Sequence, residues 1–394
     1  MESDPGLKQT ASKQILISGY YGFHNAGDEA ILAALYQLFS PYGVKLKVLT
    51  ASAEHHLPGC EFETVQRLDM SGILAAIRQS DLFLSGGGGL FQDVTGLGSV
   101  PYYGALLWLA KRMGLPTMVF GQGLGPLRLS PNRFLLKQIL KGTDAISVRD
   151  PDSYGMLQKM GLPAGQIHQC ADPVLTLQPA HYSQVQQILS QEGVDLNRPV
   201  IGISIRPWPT WFEKQLKAFT SVLAQFAARI NAQLLLIPFQ PEHDTWMCHE
   251  AAYSLRTRPN SYVPPVHVLE GQYGPIEMQG IIGQMDMIVG MRLHALIMAA
   301  SQGVPAVGLV YDPKVRHFAE SVNYRYIGSI TSLSQADLFY QHLLDTWDHR
   351  EALRRQLHQS LPPLQQRVYE AREIALKLLG LNQQAEPTTK ANQA

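Results

Sequence analysis

Short apolar runs alternate with amphipathic ones along most of this chain. In the first half, apolar runs at 14–18, 45–50, 81–85, 116–121 and 144–148 predict buried strands, and helical periodicity fills 29–40, 71–79, 101–113 and 131–141. Strands of this kind with helices between them predict a parallel sheet wrapped by helices. The pattern turns polar over 178–198, where Gln184, Gln186, Gln187 and Gln191 lie between Pro179 and Pro199. A domain junction with a crossover helix inside it is expected there. A second alternating series follows, with strands at 200–206, 233–238, 266–268, 286–289 and 306–309 and helices at 212–230, 244–257, 275–284, 293–302 and 314–321. The last helical pattern, 334–380, is charged and Gln-rich, and part of it is placed to pack back across the first domain. The polar tail from Gln383 predicts disorder.

The expected fold is therefore α/β, with two Rossmann-like doubly wound domains facing a cleft. The boundaries read as 1–178 for the N-terminal domain, 179–345 for the C-terminal domain, 346–382 for a C-terminal helical segment and 383–394 for the tail. Facing sheets of this type hold ligands at the C-terminal ends of their strands.

Bulk properties narrow the function. At 394 residues the chain can hold two separate cores. Lys+Arg and Asp+Glu balance at 32 each, so no global field draws in nucleic acid or anionic lipid. Cys60, Cys170 and Cys248 form neither a disulfide framework nor a metal-ligand pair, which fits a reducing cytoplasm. The first residues, with Glu2, Asp4 and Lys8, do not read as a signal peptide, and no apolar run approaches the roughly 20 residues that span a bilayer. A soluble cytoplasmic protein is expected.

The loops carry the candidate chemistry. Strand Ile15-Leu16-Ile17 empties into Gly19-Tyr20-Tyr21-Gly22-Phe23-His24-Asn25-Ala26-Gly27-Asp28-Glu29. A glycine-punctuated turn into a helix aims backbone N–H groups and the helix dipole at one spot, which suits an anion. It has neither the P-loop ending nor the dinucleotide glycine spacing. Asp28 and Glu29 either stabilise the helix terminus or face a substrate with hydroxyl groups or transferable protons. Ser85-Gly86-Gly87-Gly88-Gly89-Leu90-Phe91-Gln92-Asp93 ends the third strand. Four consecutive glycines cost backbone entropy, so Gly87 and Gly88 point either to close ligand approach or to a tight turn against the next loop. Gly121-Gln122-Gly123-Leu124-Gly125-Pro126 ends the fourth strand in the same manner.

Arg149 and Asp150 close the fifth strand, and Arg206 closes the first strand of the second domain. Arg149 either clamps an anion with its planar fork or pairs with Asp150 to fix the loop. Two arginines at equivalent strand ends suggest one anion held across the cleft. The densest cluster is Gly290-Met291-Arg292-Leu293-His294-Ala295 at a strand-to-helix turn, followed by Tyr311-Asp312-Pro313-Lys314 at the next strand end. A base or an anion-contacting imidazole fits His294, and Arg292 is either a contact or structural. His55, His56, His243 and His249 read as surface or loop residues, and no stretch has metal-ligand spacing.

Together, G-Y-Y-G-F-x-N-x-G-D-E at 19–29, S-G-G-G-x-L-F-Q-D at 85–93 (with one added glycine), S-V-R-D at 147–150 and G-M-R-L-H-A at 290–295 resemble the polysaccharide pyruvyl transferase family. The match looks like its CsaB-type members and runs from about residue 14 to 345. The resemblance implies a glycosyltransferase-B-like fold. It also implies phosphoenolpyruvate as donor, a sugar of a cell-wall glycan, an exopolysaccharide or its lipid-linked precursor as acceptor, and a cyclic pyruvate ketal as product. No cofactor or metal is expected beyond phosphoenolpyruvate itself as co-substrate. Carried over by resemblance, Arg149, His294 and Lys314 form the donor-binding and catalytic set, joined by Arg206. Arg292, Asn25, Gly87 and Gly88 complete the expected binding residues. His294 is expected to exchange the proton, with Asp28 and Asp93 as alternative acids or bases.

The rival readings are a nucleotide-sugar glycosyltransferase of the same architecture and a non-enzymatic sensor of a phosphorylated metabolite. A lipid-linked acceptor would require peripheral contact with the inner membrane face. Arg350, Arg354, Arg355, Arg367 and Arg372 are the cationic positions considered for it, against a solvated helix face balanced by Glu351, Glu370 and Glu373.

Overall fold

The computed structural model describes residues 12–93, 98–208, 213–257, 263–328 and 335–381. The expected tail, 383–394, lies outside the described residues. The first half holds strands β1 (Gln14–Tyr21), β2 (Lys45–Thr50), β3 (Glu63–Gln66), β4 (Leu82–Ser85), β5 (Thr117–Gln122), β6 (Ala145–Val148) and β7 (Ile167–Gln169). They form a seven-stranded sheet in the order β3-β2-β1-β4-β5-β6-β7, with every pair parallel. The second half holds β8 (Val200–Ser204), β9 (Gln233–Leu236), β10 (Val266–Val268), β11 (Met287–Gly290), β12 (Ala306–Leu309) and β13 (Arg325–Ile327). These form a six-stranded parallel sheet, β10-β9-β8-β11-β12-β13. Each sheet carries the doubly wound order, with its topological switch beside its first strand.

Strand parity sorts the side chains into layers, because alternate residues face opposite sides of a sheet. Leu16, Phe83 and Val119 face outward from the first sheet onto α2 (Met70–Gln79), α3 (Ser99–Arg112), α4 (Ser130–Lys141) and α5 (Pro151–Lys159). Ile201, Leu234 and Met287 face outward from the second sheet onto α7 (Glu213–Ile230), α8 (Pro241–Arg256) and α12 (Ala336–Asp348). The opposite faces share one core. Ile15, Ile17 and Phe120 of the first sheet and Leu235 and Ile288 of the second pack into it with α1 (Ala26–Phe39), α6 (Tyr182–Gln191), α9 (Pro275–Gly283), α10 (Leu293–Ser301), α11 (Pro313–Ser321) and α13 (Arg350–Leu378). The sheets are thus joined through a continuous apolar middle layer.

The elements that differ from expectation are edges and breaks. β3, β7 and β13 each lie at the outer end of a sheet, and the polar Glu63-Thr64-Val65-Gln66 and Ile167-His168-Gln169 show no apolar run. The pattern over 334–380 is two helices that meet at His349. The second, α13, buries Leu357, Leu361, Val368, Ala371, Ala375 and Leu376 in the middle layer and contacts β5, α1 and α10. The helix at 151–159 begins where Asp150 caps it, its carboxylate accepting the Ser153 N–H at 2.7 Å.

Ile281 on α9 is fully buried in the shared core, and α9 packs on α1 across the halves. Ile281→Ala should cost about 2–5 kcal/mol. A shared core makes both halves unfold together, so calorimetry should show one transition moved down rather than one of two.

Candidate active site

Both sheets present their strand C-termini to one cleft of about 680 Å³. On the first side, Asn25 caps α1, its side-chain Oδ1 accepting the Gly27 N–H at 3.0 Å. The Ala26 N–H donates across the halves to the Phe239 carbonyl at 2.7 Å. The start of α1 is therefore largely satisfied internally, and its amides do not form the open anion site that the glycine pattern suggested. Its two acids have separate roles. Glu29 accepts the Gly22 N–H at 2.8 Å and pairs with His55 Nε2 at 3.0 Å, which clamps the loop. His55 is a loop residue, as expected, with its side chain largely covered. Asp28 faces the cleft. Burial pushes its carboxyl up to about 6, against the opposing pull of His294, with Glu29 adding to the rise and Lys314 and Arg149 also lowering it.

Three of the four consecutive glycines have a steric or backbone reason. A Cβ on Gly86 would sit 2.2 Å from the Tyr21 hydroxyl, and one on Gly87 3.2 Å from the Gly121 carbonyl. Gly88 adopts φ +93°, and its Cβ would lie 3.1 Å from Asp28 Oδ1. Gly88 and Gly89 line the cleft, while Gly86 and Gly87 make room for neighbours. Asp93 is turned away. It accepts the N–H groups of Arg128 and Leu129 at 2.8 and 2.9 Å and that of the Asn132 amide at 3.4 Å. Burial alone would raise its carboxyl, but these donors hold it below the ordinary value. It is not among the residues lining the cleft, so the expectation of an acid or base at Asp93 is corrected to a loop anchor.

At the centre, Arg149 pairs with buried Asp172 rather than with adjacent Asp150. Asp172 Oδ2 also lies 3.6 Å from His294 Nε2, an ion-pair separation that joins the two halves. Burial works to raise the Asp172 carboxyl, yet Arg149 and His294 bring it down to about 2. The fit is close on both sides. A Cβ on Gly27 would meet His294 Nδ1 at 2.1 Å, and one on Gly123 would meet Arg149 Nε at 3.0 Å. Helix α10 starts at Leu293 with no side-chain cap, and Leu293 and His294 line the cleft. The open helix terminus is therefore on the second side.

Three more cations complete the second wall. Arg292 makes a two-pronged contact with fully buried Asp244, Nε to Oδ2 at 2.9 Å and Nη2 to Oδ1 at 2.5 Å. Arg206 lies 5.7 Å from the Trp208 ring and 5.5 Å from that of Tyr311, and its buried Nε has no hydrogen-bond partner among the described residues. Lys314 is half-exposed, 3.6 Å from Asp312. His243, expected as a surface or loop residue, is exposed on α8 and lines the cleft. Sequence reasoning missed Asp172, Asp244 and Arg67. Arg67 follows β3 and sits over Tyr102 at 4.4 Å and Phe23 at 5.3 Å, while Tyr20 stacks on Phe23 at 4.0 Å. The aromatic spacing of Tyr20 and Phe23 at a strand end was the available signal for that corner. Among the described residues no group of three His, Cys, Asp or Glu side chains could hold a metal ion.

The sequence model for polysaccharide pyruvyl transferase matches residues 25–313, which carry nearly all of this cleft. The chain belongs to the polysaccharide pyruvyl transferase family. Its fold is similar to the UDP-N-acetylglucosamine 2-epimerase of Neisseria meningitidis bound to UDP-N-acetylglucosamine, at 14% identity and a TM-score of 0.61, covering 94% of this chain and 100% of that one. Anabaena Alr3699/HepE in complex with UDP-glucose matches at 13% identity and a TM-score of 0.58, covering 93% and 99%. The S. aureus MnaA–UDP structure matches at 11% and 0.63, covering 94% and 98%. These likenesses establish a two-domain, glycosyltransferase-B-like fold for this member of the family.

Asp28 binds its proton more tightly folded than unfolded, so its burial subtracts stability as pH rises from about 4 through about 6. Asp28→Asn should leave the melting temperature little changed near pH 4. At pH 8 it should raise stability by about 1–3 kcal/mol, read by thermal melts across the range.

Proposed function

We propose that the protein moves the enolpyruvyl group of phosphoenolpyruvate onto a sugar of a polysaccharide or its lipid-linked precursor, forming a pyruvate ketal and releasing phosphate. The observation that carries this reading is the convergence of Arg149, Arg206, Arg292, Lys314 and the uncapped start of α10 on one cleft that also holds His294 and Asp28. A donor bearing both a phosphate and a carboxylate calls for that many positive groups. Arg206 and Lys314 hold the anionic groups together with Arg149, and Arg292, fixed by Asp244, shapes the wall behind them.

In this reading His294, held against Asp172, delivers a proton to the methylene carbon of the donor. The central carbon becomes oxocarbenium-like, and a sugar hydroxyl adds to it while Asp28 takes the hydroxyl proton. The carbon–oxygen bond to phosphate then breaks, phosphate leaves with the bonding pair, and a second hydroxyl closes the ring and gives up its proton. One proton enters at carbon, two leave from hydroxyls, and the second of these ends on the departing phosphate. The cationic cleft stabilises the departing phosphate. A carboxyl poised near 6 is mostly ionised at neutral pH and can serve as the base.

The decisive assay is phosphate release from phosphoenolpyruvate with a panel of hexose and hexosamine acceptors. Release should require an acceptor and fall at least about a hundredfold in Arg149→Ala, His294→Ala and Asp28→Asn. In wild type, kcat/KM should decline as pH drops through about 6, and Asp28→Asn should lose that limb. Gly27→Ala should disable turnover without unfolding, because its methyl displaces the His294 ring. The fold neighbours bound to UDP and UDP-sugars favour a second reading, transfer from a nucleotide-sugar donor. Glycosyl product from such a donor, with no phosphate release from phosphoenolpyruvate, would replace the first reading by the second.

A further inference from the structure

The chain is neutral overall, but its charge is not evenly spread. Residues 94–143 contain Lys111, Arg112, Arg128, Arg133, Lys137 and Lys141 and not one Asp or Glu. This stretch builds α3 and α4, which pack side by side in the outer helix layer of the first sheet. The contact is close, since a Cβ on Gly104 of α3 would lie 2.6 Å from Ile139 Cδ1 of α4. On the solvent side of the same pair, Trp108 is 53% exposed, Phe134 67%, Leu129 41% and Leu135 38%. Arg112 lies 5.7 Å from the Trp108 ring. Lys111 is matched by Asp144 at 2.5 Å, whereas Arg133, Lys137 and Lys141 have no carboxylate partner among the described residues.

We infer that the outer face of α3 and α4 docks the protein on an anionic lipid bilayer. Cations with no local acids attract the surface of such a bilayer, and exposed Trp, Phe and Leu side chains enter the boundary between headgroups and acyl chains. Exposed leucines beside the aromatic rings distinguish this face from a nucleic-acid surface, because a phosphate backbone offers nothing to bury them. No helix among the described residues is long and apolar enough to cross a membrane, so the attachment is peripheral. The placement also has a consequence. Ser99, Tyr102 and Tyr103 of α3 line the cleft, and Arg67 sits over Tyr102, so the helix that meets the bilayer also forms one wall of the site. A lipid-linked sugar would enter beside this wall, a consequence that rests on the pyruvyl-transfer reading; the docking itself does not.

The C-terminal arginines make a poorer surface. Arg372 pairs with Glu373 at 2.6 Å, Arg354 lies 3.7 Å from Glu351, and Arg350 donates to the Trp347 carbonyl. The helix that carries them is buried along one side in the middle layer.

The test is sedimentation of the full chain with vesicles of phosphatidylcholine alone and of phosphatidylcholine with phosphatidylglycerol in equal parts. Wild type should bind the mixed vesicles and bind the neutral ones weakly. Each Lys or Arg near an anionic bilayer is worth about fivefold in partitioning, so Arg133→Glu/Lys137→Glu/Lys141→Glu should lower binding by about a hundredfold or more. Trp108→Ser/Phe134→Ser should lower it by about tenfold. Melting temperatures and turnover of a short water-soluble acceptor should stay at wild-type levels in both variants. The proposal is overturned if wild type ignores anionic vesicles or if both variants bind as wild type does. It is equally overturned if Arg355→Glu/Arg367→Glu removes binding while the α3–α4 variants keep it, or if the face retains duplex DNA but not vesicles. Because sedimentation needs no turnover, a failed docking result leaves the transferase reading standing, and a failed transferase assay leaves docking standing.

Discussion

The buried carboxylate of Asp172 is the constraint on which the cleft depends. An ionised group so far from solvent must be matched by charge and hydrogen bonds or be neutralised. Here Oδ1 accepts the Val174 N–H at 3.1 Å and fixes the turn that follows, while Oδ2 faces Arg149 from the first half and His294 from the second. One side chain thus sets the position of two basic groups from different halves of the chain. The apolar middle layer brings the halves together, but it has no directional preference. The Arg149–Asp172–His294 array supplies that direction, and the missing side chains at Gly27 and Gly123 allow the two basic groups to reach it.

Asp28 shows the cost of such an arrangement. A carboxyl raised to about 6 by burial is a local loss of stability at neutral pH, tolerated beside groups that partly offset it. Glu29, one residue on, shows the opposite solution. It is tied to Gly22 and His55 and serves only to hold the loop. The same helical turn therefore holds an acid fixed by hydrogen bonds and an acid that faces the cleft. Adjacent residues at a helix start project in different directions, which is why one acid can hold the loop while its neighbour faces the cleft.

How much was legible follows from the range of the interactions. Strands buried on both faces, such as Ile15–Ile17 and Met287–Gly290, leave continuous apolar runs and were readable, as were the helices between them. β3 and β7 lie at sheet edges, where one flank needs no apolar cover, and their short polar segments carry no pattern. Arg149, Arg206, His294 and Lys314 were readable as groups at strand ends and are brought to one cleft. Their partners were not. Asp172 lies 23 residues beyond Arg149, and Asp244 lies 48 before Arg292, so neither sits at a spacing that local pattern detects. Asp93 carried the motif's acid but not its expected place, because the backbone N–H groups of Arg128 and Leu129 hold its carboxylate instead.

Net charge and local charge carry different information. Balanced totals of 32 and 32 describe a far field, yet contact with a surface is decided within a Debye length of about 10 Å. In α13 two of the arginines, Arg354 and Arg372, have a glutamate of the same helix within reach, so part of its charge is offset locally. Across α3 and α4 the acids are absent, and the nearest carboxylates, Asp93 and Asp144, stand at the two ends of the stretch, where Asp93 anchors a loop and Asp144 pairs with Lys111. Segregation along the sequence becomes segregation on the surface because two adjacent parallel strands, β4 and β5, send their following helices to the same side of the sheet. The doubly wound topology thereby places Arg133, Lys137 and Lys141 with exposed Trp108 and Phe134 on the outer helix layer, while the other face of that sheet remains committed to the core shared with the second half.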